Sequence, residues 1–234
     1  MATRRAVGAA ATLGTAAWCA PALAPIVPPV AGALGVPRCV PGAGVLLTFD
    51  DGPHPVGTPL VLNALRTADL PATFFLVGEQ VERYRSLAVE IVDAGHQVAI
   101  HGYRHRVQLR LTPQMVADDL DRAADVIGGA TGIEPRLHRP PLGIYSPAGL
   151  AAVRRRGWQP LLWSRWGRDW RASATPKTIA DTIGTNFQAG EVLLLHDADH
   201  YSSEGSHRRT AAALPRIFAA IKASGHGAMA GWRV

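Results

Sequence analysis

The sequence predicts an α/β fold in which parallel strands alternate with helices and the sheet closes, incompletely, into a barrel. An open doubly wound sheet is the alternative. Three observations lead there. From Gly44 onward, short apolar runs of strand length alternate with helix-like segments about seven times, the pattern of a parallel sheet covered by helices. The helices carry clear start and stop signals. The residues that follow the strands are carboxylates, imidazoles and a guanidinium, as expected where a βα barrel assembles a site at its strand ends.

The strands are expected at Val45–Phe49, Thr73–Val77, Gln97–Ile100, Arg136–His138, Pro160–Trp163, Glu191–Leu195 and near Ala228–Trp232. The helices are expected at Thr58–Ala68, Arg85–Ala94, Pro113–Ile127, Pro147–Arg156, Pro176–Gln188 and Thr210–Ser224. Thr112-Pro113, Ser146-Pro147 and Thr175-Pro176 each place an N-cap before a proline at the first helical position. Gly95, Gly157 and Gly225 sit just past helix ends, where a left-handed residue is wanted. Residues 1–43 read as an Ala/Pro-rich apolar extension and 44–234 as a single domain, with no repeat or internal linker.

Composition narrows the function. At 47% apolar residues the 234-residue chain can bury a sizeable core. Its net charge of +6 comes almost wholly from scattered arginines, because Lys177 and Lys222 are the two lysines. No basic run interleaves with aromatics, so nucleic acid is not an expected partner. An anionic envelope or polymer suits the charge. Cys19 and Cys39 both precede the first strand, which excludes a disulfide framework and a cysteine zinc site for the domain.

The N-terminus has Arg4-Arg5 followed by no charge until Arg38, which reads as an export signal or membrane anchor. "TRRAV" is a partial twin-arginine pattern, and the small-x-small sites at Ala20 and Ala24 are each followed by proline. Five prolines interrupt the run, so a straight spanning helix is not expected throughout. Membrane contact, if any, falls to this segment, the location is expected at the cell envelope with the cytoplasm as the alternative, and the chain is expected to act as a monomer.

The strand ends form the constellation. Asp50-Asp51 follows the first strand, "HGYRH" with His101 and His105 the third, Arg139-Pro140-Pro141 the fourth, Asp169-Trp170 the fifth and His196-Asp197 the sixth. His101 and His105, with three residues between them, would face one way on a helical turn. Two histidines and a carboxylate leave positions open on a divalent ion for water and substrate. Successive side chains at a strand end diverge, so one aspartate can bind metal while the other faces the attacking water.

"TFDDGP", "HGYRH", "RPP", "RDW" and "LLLHD", in this order, resemble the polysaccharide deacetylases of the NodB-like group, carbohydrate esterase family four. The resemblance spans about Gly44 to Val234, and "ATFFLVG" and the Gly95-His96 lead-in share it. It implies a distorted, incomplete (β/α)7–8 barrel. It implies that Asp51, His101 and His105 hold one divalent metal, most often zinc, with cobalt or nickel as substitutes. It makes Asp50 the base, Arg139 its holder, His196 the acid and Asp169 the residue that orients and charges it. Trp170 and Leu194 would wall the acetyl pocket, and the Leu142 amide would join in oxyanion stabilisation. The expected activity is a metal-dependent hydrolase that removes acetyl groups from N-acetylated sugars of a poly- or oligosaccharide or lipid-linked glycan.

Departures from the family pattern concern substrate geometry. Leu142 stands where an aromatic is usual, Ile100 where Asn is common, and "SRWGRDW" lacks a further Asp near Trp166. They leave two alternatives open: an amide or cyclic-imide hydrolase for a small non-sugar molecule, and a silent glycan-binding member. Asp199, His200 and Tyr201 either line a glycan subsite or belong to a polar loop capping the next helix, and His54 has a place at the pocket mouth as its candidate role. His96, His138, His207 and His226 are read as structural. Trp158, Trp163 and Trp166 are read as packing, with Trp166 the one to test as a sugar platform.

Overall fold

In a computed structural model, residues 19–232 are described, so the Arg4-Arg5 end of the predicted extension lies outside the described residues. Among the described residues seven parallel strands form one curled sheet: β1 Leu46–Asp50, β2 Thr73–Leu76, β3 Gln97–Ile100, β4 Leu137–His138, β5 Gln159–Pro160, β6 Arg165–Trp166 and β7 Val192–His196. Their order is β5-β4-β3-β2-β1-β7-β6. Around them run α1 Pro28–Ala33, α2 Gly57–Ala68, α3 Gly78–Arg83, α4 Arg85–Asp93, α5 Pro113–Thr131, α6 Pro147–Arg155, α7 Pro176–Ile183 and α8 Ser206–Ala223. This is the incomplete (β/α) barrel expected from the sequence. β1 and β2 are buried at every position, as strands covered on both faces must be.

The expected caps form. The side chains of Thr112, Ser146 and Thr175 accept the amides of Met115, Gly149 and Thr178, and Thr175 completes a capping box. Several boundaries differ from expectation: α5 runs past Ile127 to Thr131, and α8 starts at Ser206, ahead of Thr210. The run Pro160–Trp163 is not one strand: β5 stops at Pro160, and a separate β6 begins at Arg165. Residues 228–232 contribute only an isolated bridge from Ala228 to Val45. α7 ends at Ile183 instead of Gln188, because Gly184 leaves helical geometry with φ 85°. The short helix α3 was not anticipated.

The sheet's two edges, β5 and β6, are joined by only Leu161–Ser164, so the chain itself crosses the barrel seam. The latter part of the predicted extension lies over that seam. Leu162 donates its amide to the Pro37 carbonyl at 2.9 Å, and Arg38 Nε donates to the Trp163 carbonyl at 2.8 Å. Val40 bonds the Gly190 carbonyl at 2.8 Å, and Ala24, Ala31, Val36 and Val40 join the core. Cys19 and Cys39 are free and exposed. No helix among the described residues is long and apolar enough to cross a membrane.

Candidate active site

The C-terminal strand ends bring the predicted metal set together. Asp51 follows β1 in a left-handed conformation (φ 80°), which swings its carboxylate away from that of Asp50. Asp51 Oδ1 lies 3.4 Å from His101 Nε2 and 3.4 Å from His105 Nε2. The two histidines converge through a bend at Gly102 (φ 90°), not through the helical turn their spacing suggested. His101 Nδ1 lies 2.8 Å from the Arg139 carbonyl, so it donates there and leaves the Nε2 lone pair facing Asp51.

These residues fit a divalent cation. Asp51 Oδ1 is buried and has no hydrogen-bond partner, an arrangement that costs free energy unless a cation occupies the gap. One donor atom from each of Asp51, His101 and His105 lies within 4.8 Å of the others. Burial, opposed by Asp51, keeps His105 neutral with its pKa lowered to about 4. Burial works against the Asp51 carboxylate, but the His101 contact and then the charge of His196 outweigh it and hold the pKa at about 2.

Asp50 and His196 stand side by side in the β1–β7 register. Asp50 Oδ1 accepts from Arg139 Nη1 at 2.6 Å, while its Oδ2 lies 3.8 Å from His101 Nε2, on the metal side. Arg139 is fully buried. Its Nη1 also donates to Thr48 Oγ1, and its Nε and Nη2 donate to the seam carbonyls of Leu161 and Leu162. His196 donates Nδ1–H to Asp169 Oδ1 at 2.9 Å, which leaves Nε2 for substrate. Asp169 Oδ2 accepts from the His196 amide and from the Thr210 hydroxyl, both at 2.8 Å. Burial pulls the His196 pKa down, but the Asp169 charge and hydrogen bond, helped by Asp51 and Asp50, raise it to about 10. The imidazole is therefore cationic at neutral pH.

These groups open into a pocket of about 130 Å³ walled by Leu142, Trp163, Trp166, Trp170, Leu194 and Tyr201. Leu142, held at φ 60°, is 56% exposed at the rim. Trp163, Trp166 and Trp170 form a run of neighbouring rings that ends with the edge of Trp170 against His196. Trp163 was read as packing; it is buried but its ring also closes the pocket. A larger hollow of about 440 Å³ lies at the opposite, N-terminal ends of β2 and β3, beside Leu70 and His96, and gathers no comparable set of converging acids and bases.

His54, Asp199 and His200 do not line the pocket; Tyr201 does. His54, Asp199 and His207 form a second cluster, with His54 Nε2 3.2 Å and His207 Nδ1 3.1 Å from the Asp199 carboxylate. Here the donor chemistry does not suit a metal. His54 Nδ1 accepts the amides of Val56 and Gly57, so Nε2 carries the proton and donates to Asp199. Asp199 Oδ2 also accepts the Gly205 amide at the start of α8. The cluster ties the loop after β1 to the loop after β7. His138 is buried against Tyr145, and His226 is half-buried near the Ala43 carbonyl. Thr48, Thr210 and Ser202 also belong to the site, and nothing in the sequence pattern singled them out.

Comparison with known proteins agrees with this geometry. The sequence profile of the family described as "Polysaccharide deacetylase" matches residues 38–161. A peptidoglycan-N-acetylglucosamine deacetylase of Bacillus cereus is 32% identical over 189 residues, which cover 78% of this chain and 83% of that protein. A chitooligosaccharide deacetylase of Sinorhizobium fredii is 34% identical over 193 residues, covering 80% and 89%. A family 4 acetyl xylan esterase from Clostridium thermocellum, solved with a cobalt ion, superposes with a TM-score of 0.72 at 27% identity, covering 79% and 86%. The barrel, the strand-end site and the profile match together show that this chain belongs to the polysaccharide deacetylase family.

Proposed function

We propose that the chain is a metal-dependent hydrolase that removes acetyl groups from N-acetylated sugars of a glycan, with peptidoglycan and chitooligosaccharides as the substrate classes to try first. The observation that carries this reading is one buried carboxylate–imidazole trio flanked by a base held through Arg139 and an acid charged by Asp169. A divalent cation held by Asp51, His101 and His105, zinc first and cobalt or nickel in its place, would polarise the carbonyl and acidify water.

The chain's own groups supply the rest. Arg139 occupies Asp50 Oδ1 and so leaves Oδ2 to take the proton of the attacking water. His196 Nε2 delivers a proton to the departing nitrogen. An amine leaves only when protonated, and a His196 whose pKa is raised meets that requirement. Trp170 and Leu194 enclose the acetyl methyl, and the Leu142 amide donates to the oxyanion. The pocket is sized for an acetyl group, while the sugar sits at the rim by Leu142 and Trp166. An envelope location is part of the proposal, supported by the apolar stretch after Arg4-Arg5 and by the net charge of +6.

The test is acetate release from chitooligosaccharides, peptidoglycan fragments and acetylated xylan by the zinc-loaded chain, beside Asp50→Asn. Wild type should release acetate, and loss of the base should lower the rate by about 10²–10⁴-fold with zinc still bound. Full activity in Asp50→Asn would overturn the assignment of the base.

A further inference from the structure

The two histidines of the candidate metal trio are aimed by different means. His101 is fixed by its Nδ1–H bond to the Arg139 carbonyl. Among the described residues no protein group bonds the His105 ring in this way. Instead the imidazole lies flat on the ring of Tyr201, with centroids 4.2 Å apart and planes 9° apart.

Tyr201 is itself locked. Its hydroxyl donates to Glu79 Oε1 at 2.8 Å and accepts from Gln80 Nε2 at 3.0 Å. Glu79 and Gln80 open α3, whose first amides are tied to the histidine loop: Gly78 N–H bonds the Gly102 carbonyl at 3.0 Å and Glu79 N–H the Tyr103 carbonyl at 2.9 Å. The loop carrying Tyr201 is anchored at its other end, where Asp199 meets His54, His207 and the Gly205 amide. The phenol ring is therefore a fixed plate, set from the loop after β7 and the helix after β2 onto a side chain that follows β3.

We propose that Tyr201 is the positioning residue for His105, and that its ring does for this imidazole what the Arg139 carbonyl does for His101. This rests on the reading that Asp51, His101 and His105 hold the metal. A histidine free to rotate must lose that freedom when it ligates, and partners that orient metal-bound histidines are worth about 10–100-fold in metal affinity. The stack removes that freedom before any ion arrives. It also makes Tyr201 a wall of the pocket, so the chain uses one ring for ligand alignment and for shape.

The test is zinc affinity of the full-length chain, stripped by chelation and titrated against a chromophoric chelator, with the visible spectrum of the cobalt-loaded form as a second readout. Tyr201→Leu removes the plate and should weaken zinc by about 10-fold or more and alter the cobalt spectrum. Tyr201→Phe keeps the plate and should retain most of the affinity. Wild-type affinity and spectrum in Tyr201→Leu would overturn the proposal, as would a Tyr201→Phe as weak as the leucine variant. If Tyr201→Leu fails to fold by circular dichroism, Tyr201→Met fills the space without a flat face and is judged by the same outcomes. His105→Asn separates the two levels. If it weakens zinc while Tyr201→Leu does not, the positioning role fails alone; if it leaves zinc binding intact, the metal reading fails and the positioning role with it.

Discussion

Replacing Asp169 with Asn isolates the charge that makes His196 an acid. Asp169 is fully buried and holds His196 Nδ1 at 2.9 Å. Asn has nearly the same shape and keeps an oxygen for the Nδ1–H, but its amide nitrogen replaces the Oδ2 that accepts the His196 amide, so the rate also falls in height and the position of the alkaline limb is what reports the lost charge. Burial opposes the imidazolium and pulls the His196 pKa down, whereas Asp169, ahead of Asp51 and Asp50, lifts it to about 10 from an ordinary 6.5. A neighbouring opposite charge at this range is worth roughly 1–3 pH units. A general acid works while protonated, so the rate holds below the His196 pKa and falls as pH rises through it. Asp169→Asn should therefore move the alkaline fall of kcat down by roughly 1–3 pH units. A bound cation acts on both proteins alike, so the difference between the curves is the observable. The assay is acetate release from a saturating chitooligosaccharide from about pH 5 to 11, with circular dichroism to verify the fold. Alkaline limbs that superimpose, with only the height reduced, would refute His196 as the charged proton donor.

Two stability outcomes follow from the same packing. Arg139→Met leaves Asp50 as an unpaired charge in the interior and strips the carbonyls of Leu161 and Leu162 of their donors; urea unfolding should show a loss of about 3–5 kcal/mol, and an unchanged midpoint would contradict the buried ion pair. Gly57→Ala would drive a methyl into the Asp197 carbonyl oxygen; overpacking of this kind costs about 1–3 kcal/mol, so the thermal midpoint should fall, and wild-type stability would show that the start of α2 and the loop after β7 approach less closely than described.

Much of the site was legible because its residues are tied to local signals. Each strand-end motif follows an apolar run that is itself readable, and a parallel barrel sends all such ends to one face. Thus Asp50, Asp51, His101, His105, Arg139, Asp169 and His196 could be gathered without coordinates. The elements that escaped have no local signal. β5 and β6 are two residues each, too short for any period, and the proline in β5 blurs the strand further. The partnerships that escaped span distant stretches of chain. Tyr201 meets Glu79 and Gln80 across more than 120 residues, and Thr210 meets Asp169 across 41. The spacing of His101 and His105 pointed to the right pair for the wrong local reason, since a glycine bend does the work assigned to a helix.

The seam has a consequence for where this chain can be shortened. A sheet that stops short of closing leaves two rows of backbone groups able to pair with another molecule. Here both rows are brief, and Pro37, Arg38 and Val40 lie over the gap, taking or giving bonds at Leu162, Trp163 and Gly190. A cut at residue 43, the natural border by composition, would uncover these groups beside the carbonyls that hold Arg139. The stretch before β1 is thus a stopper, and a chain trimmed to its barrel would offer neighbouring copies an open edge to join.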